Sequence, residues 1–136
     1  MKTFDITRDA IQYFLLRGLI CGVALGTIYG TLIIPVIGTA YGAIFGAVAG
    51  VPLGVVLGIV VGLVSARFFN PVESMRTFQM VVLILSGLIT FSGGLFGAAQ
   101  LYGFSNLMVP LIPALIATAS AVYVGYRYTR RYPARL

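Results

Sequence analysis

The sequence predicts an all-α integral membrane protein with four transmembrane helices and both termini on the cytoplasmic side. Three observations lead there. First, 60% of the 136 residues are hydrophobic and only 9% charged, with a mean hydropathy of +1.04. A soluble domain carries about 25% charged residues, so much of this surface must meet lipid. Second, four apolar stretches, at about 14–34, 39–65, 77–98 and 107–126, each approach the ~20 residues a bilayer demands. Third, all nine basic residues fall on one side of such an arrangement. Lys2, Arg8 and Arg17 precede or open the first stretch, Arg67 and Arg76 separate the second and third, and Arg127, Arg130, Arg131 and Arg135 follow the fourth. The other two connections, "PVIG" and "AQLYGFSN", are uncharged. The positive-inside rule then places both termini in the cytoplasm. The expected location is a bacterial or archaeal plasma membrane, and the chain forms a single membrane domain over 1–136.

The first stretch is led by "FDITRDAIQYFLLR", which mixes Phe4, Ile6, Ile11 and Phe14 with Asp5, Arg8, Asp9 and Gln12. This lead is expected either to lie on the membrane face as an amphipathic turn or to extend the first helix into solvent. The stretch has no small-x-small cleavage site, so it is expected to stay as an anchor. Cys21 follows Ile20, where lipoprotein processing needs a small residue, which argues against lipidation. Arg17 stands near an edge, where its side chain can snorkel.

The first and second stretches share a spacing. Gly18, Gly22, Gly26 and Gly30 recur every four residues, and so do Gly38, Gly42, Gly46, Gly50, Gly54, Gly58 and Gly62. Glycine costs about 1 kcal/mol against alanine in a water-exposed helix. In lipid the balance changes, because helices associate by close van der Waals contact and a glycine lets a partner backbone approach. Pro35 and the short link rule out one continuous helix, which would span about 67 Å. The expectation is an antiparallel hairpin with one glycine row laid on the other. The pattern resembles the glycine zippers of small-residue membrane helices, also seen in rotor-ring subunits and mechanosensitive channels. On a straight helix each four-residue step drifts by about 40°, so seven glycines sweep about 240°. The second helix is therefore expected to be central and to offer Gly54, Gly58 and Gly62 to the third or fourth helix, or to another chain. Pro52, mid-span, is expected to kink it by freeing the Val48 carbonyl.

The third helix is expected to start at "NPVE", residues 70–73, with Asn70 as cap, Pro71 at the first position and Glu73 reaching back. Gly93 and Gly97 give it a shorter version of the packing row. The fourth contains Pro113, a second candidate kink, and ends in "VYVGYRYTRRY". Tyrosine and arginine interleaved in this way suit a membrane–water interface. Arg17, Arg67, Arg76, Tyr126, Arg127, Arg130 and Arg131 are the expected interface anchors.

The composition also bears on chemistry. There is no histidine, and neither lysine nor carboxylate falls deep in a span, so proton relays and ion-coupled transport lack their usual groups. A lone Cys without a partner base supplies no nucleophile. No metal cluster or phosphate-cradling loop is legible, and no cofactor is expected. The net charge of +6 sits at segment ends, so nucleic acid is not an expected partner. The expected partners are the bilayer and other transmembrane helices. The leading functional expectation is a non-catalytic structural or accessory subunit, in a larger membrane complex, an energy-transducing one among the options, or in a homo-oligomer. The alternatives are a small pore and a carrier of lipid or another apolar molecule. "FLLRGLICGVALGTIYG", about 17 residues, resembles the entry to the first helix of large-conductance mechanosensitive channels, which implies a pore lined by small residues.

Overall fold

The computed structural model describes residues 3–69, 74–102 and 108–131. They form four helices: α1 (Thr3–Ile33), α2 (Ile37–Phe68), α3 (Met75–Tyr102) and α4 (Met108–Arg131). Three regions, Phe4–Leu32, Ile37–Phe68 and Met75–Gly97, are long and apolar enough to cross a membrane. α4 is not among them. The fourth expected span starts at residues whose side chains lie outside the described set, and the last turn of α4 is basic.

α1 begins well before residue 14. Ile6, Ala10 and Phe14 recur every four residues and so share one helix face. All three are buried. The apolar half of "FDITRDAIQYF" therefore enters the bundle core instead of lying along a membrane face. The core joins them to Leu57, Val61 and Ala66 of α2, Phe78 and Val82 of α3, and Val124 and Tyr128 of α4. Tyr128 packs against Tyr13 and Phe14, with ring centroids 5.3 and 5.2 Å apart. It is a core residue, unlike the exposed Tyr123. This core occupies the end of the bundle that also carries Arg8, Arg67, Arg76 and Arg127, called here the basic end.

The turn between α1 and α2 is short. The Ile37 amide donates to the Pro35 carbonyl at 2.9 Å and the Gly38 amide to the Ile34 carbonyl at 2.8 Å. Val36, between them, has φ 72° and ψ −66°. These are the angles of a classic γ-turn, a rare and strained form.

α1 and α2 meet backbone to backbone. An added methyl at Gly30, Gly26 or Gly22 would overlap the carbonyl oxygen of Gly38, Gly42 or Gly46 respectively, and at Gly18 it would lie 2.5 Å from that of Gly50. Numbers fall on one helix as they rise on the other. The row then continues without glycine on α1: a methyl on Gly54 would press on Phe14 and Leu15, on Gly58 against the Ile11 Cα at 2.5 Å, and on Gly62 against the Thr7 Cα at 2.9 Å. All seven α2 glycines thus face α1. This corrects the expectation that Gly54, Gly58 and Gly62 serve α3, α4 or another chain. The expectation treated the helices as straight. A repeat longer than 3.6 residues stays in one seam when the two helices wind around each other with a right-handed twist, which absorbs the drift.

Pro52 lies inside α2, which continues as α-helix on both sides, and its ring is exposed. The "NPVE" start of the third helix lies outside the described residues. The helix begins at Met75, and the Phe78 amide donates to the Ser74 carbonyl at 3.1 Å. α3 packs on α4 through small residues in ordinary contact: Gly94 with Ala114 and Gly87 with Val122. The α2–α3 and α1–α4 contacts are far less extensive than those within the α1–α2 and α3–α4 pairs.

Candidate functional site

Two well-packed helix pairs that join mainly at one end leave room between them. Beyond the core, a cavity of about 360 Å³ separates α1–α2 from α3–α4. Small-molecule sites run from about 300 to 1,000 Å³. Glycines thin its walls: Gly22 and Gly26 from α1, Gly46 and Gly50 from α2, Gly93 and Gly94 from α3. Ala117 and Ala121 line it from α4, so all four helices contribute. The same residues that bring backbones together within a pair leave the space between pairs unfilled.

Arg17 is the sole charged residue among the described residues lining this cavity. Its guanidinium carbon lies 3.8 Å from the centroid of the Tyr13 ring, and that of Arg131 lies 5.8 Å from the same ring. Two guanidinium groups thus lie near one aromatic ring, and of the two Arg17 lines the cavity. The Tyr13 hydroxyl donates across to the Val124 carbonyl of α4 at 3.5 Å, which links α1 to α4 there.

Most hydroxyls in the helices are satisfied by their own backbone. Thr27, Ser92, Thr118 and Ser120 each donate to the carbonyl four residues earlier. Thr31 also does so, and its oxygen lies 2.8 Å from that of Thr39 across the α1–α2 seam. Ser65, Ser86 and Thr90 differ: their buried hydroxyls have no partner among the described residues. Of the three, Thr90, 5% exposed, lines the cavity.

The remaining expected site residues divide. Gly93 faces Leu53 of α2, whose Cδ2 would stand 2.6 Å from an added methyl. Gly97 faces open space, with no neighbour within 4 Å of an added methyl among the described residues, and lines the cavity instead. Pro113 lines the cavity and Pro52 does not, so the pocket forms beside the α4 proline rather than the α2 one. Arg67 and Arg76 are exposed at the basic end. Arg130 covers the Tyr126 ring at 4.9 Å, and Arg127 donates to the Tyr123 hydroxyl at 3.4 Å. Tyr13 and Thr90 were not singled out from the sequence as site residues. Tyr13 stands four residues before Arg17, on the same helix face, which is the one signal that pointed to the pair.

No protein-family model, no curated protein and no solved structure matches this chain.

Proposed function

We propose that this chain is a non-catalytic, four-span membrane protein that holds an apolar molecule between its two helix pairs. Both termini face the cytoplasm in this reading, and α1 and α2 form an antiparallel glycine-zipper hairpin that acts as a rigid wall. The observation that carries the proposal is the cavity, which all four helices line almost wholly with apolar or small side chains. Its 360 Å³ falls in the range of small-molecule sites.

A second reading, the accessory subunit, draws on the outer face of α2. Tyr41, Phe45 and Val48 form an exposed apolar row on that face. Lipid covers such a row, and so does a helix of another chain. The pore reading is weaker, because Gly18, Gly22, Gly26 and Gly30 back onto α2, leaving no continuous small-residue face on α1 for a channel. Native mass spectrometry of protein extracted in mild detergent separates these readings. A monomer carrying a small apolar molecule supports the holder. A stoichiometric second protein without such a molecule supports the accessory subunit. A bare ring of identical chains supports the pore.

A further inference from the structure

Arg17 and Thr90 both line the cavity, and they lie at nearly the same depth. Gly18 and Gly93 both contact α2 at the Leu53–Gly54 level. Arg17 lies one residue from Gly18 toward the basic end, and Thr90 lies three residues, about 4.5 Å, from Gly93 in the same direction. Arg17 and Thr90 thus mark the cavity floor on opposing helix pairs.

No acidic residue stands among the described residues of the cavity wall to neutralise Arg17. The chain has only three acids. Asp5 and Asp9 are two to three turns from Arg17 along α1, and Glu73 lies outside the described residues. The rest of the wall is mostly apolar or glycine, with Cys21, Tyr29 and Ser120 the exceptions. Such a site selects a molecule with an anionic head and an apolar tail.

We propose that the cavity binds a single-chain fatty carboxylate, with the carboxylate on Arg17 and the tail directed toward the uncharged end. The cavity's 360 Å³ lies near the lower end of the range of small-molecule sites, about 300–1,000 Å³, which favours one chain over two. The Arg17–carboxylate contact is a charge-assisted bond in a low-dielectric wall, the strong kind. This proposal rests on reading the cavity as a ligand site.

The test uses the full chain in phosphatidylcholine nanodiscs, titrated with palmitate or its methyl ester and read by native mass spectrometry. The expected result is one palmitate per protein, with methyl palmitate at least about tenfold weaker. Arg17→Gln should weaken palmitate by about tenfold or more, and Arg17→Lys should restore much of it. Equal binding of acid and ester overturns the anionic head and leaves the apolar cavity standing; this comparison needs no variant to fold. Displacement of palmitate by phosphatidylglycerol in the disc assigns the site to a phospholipid and overturns the single chain. If neither palmitate nor its ester binds and Ala117→Phe, which fills the cavity, changes nothing that co-purifies, the ligand-site reading falls as well.

Discussion

Gly26 and Gly42 face each other so closely that a methyl group on either one would overlap the carbonyl oxygen of the other. The contact is backbone on backbone, so neither partner has a flexible side chain that could move aside. Gly26→Ala and Gly42→Ala should each force the helices apart and lower thermal stability in detergent by about 1–3 kcal/mol or more. Gly97→Ala, which meets open space, and Val56→Leu, on an exposed position, should stay within about 0.5 kcal/mol of the parent. Equal melting of all four variants would contradict the seam.

Thr31 and Thr39 bridge the same seam by a 2.8 Å hydroxyl contact. Hydroxyl bonds between membrane helices average about 0.6 kcal/mol in double-mutant cycles. Thr31→Val and Thr39→Val should each cost about that much, and the double variant no more than either one. Additive losses would show that the hydroxyls act separately.

Val36 occupies a backbone conformation that a β-branched residue rarely adopts. Glycine takes it without steric cost, although it also loses more entropy on folding. Val36→Gly should therefore stabilise the protein by about 1 kcal/mol, read as a higher melting temperature. Destabilisation would show that the turn is not strained.

The four-span arrangement is tested by labelling from one side in a Cys21→Ser background. Ser74→Cys should react from the cytoplasm, beside Arg67 and Arg76, and Ser105→Cys from the opposite face. Reaction of both from the same side would end the four-span proposal.

The seam was legible in the sequence because glycine has one strong use in lipid, and a four-residue interval repeated through two stretches marks both partners. Its consequence was misread because spacing gives an angle only once the path of the helix axis is known. A straight axis scatters Gly54, Gly58 and Gly62; a wound pair returns them to Ile11 and Thr7. The role of Ile6, Ala10 and Phe14 was hidden by the neighbouring charges, which made an apolar helix face look like a surface lead. The cavity was not legible, since empty space between helices depends on how pairs diverge, and no residue type encodes that. Thr90 looks in the sequence like the other helix hydroxyls, and only its burial and missing partner separate it from Thr118.

The glycine seam also sets an order of assembly. Where Gly18 to Gly30 meet Gly38 to Gly50 the contact has no rotamers to freeze, so that half of the α1–α2 seam forms with almost no loss of side-chain entropy. Their link is a few residues long, which keeps the entropy of loop closure small as well. α3 and α4, by contrast, must immobilise Phe78, Val82, Val124 and Tyr128 to complete the core. The first pair can thus close as soon as both helices are in the bilayer, and it then stands as a finished surface on which the second pair docks.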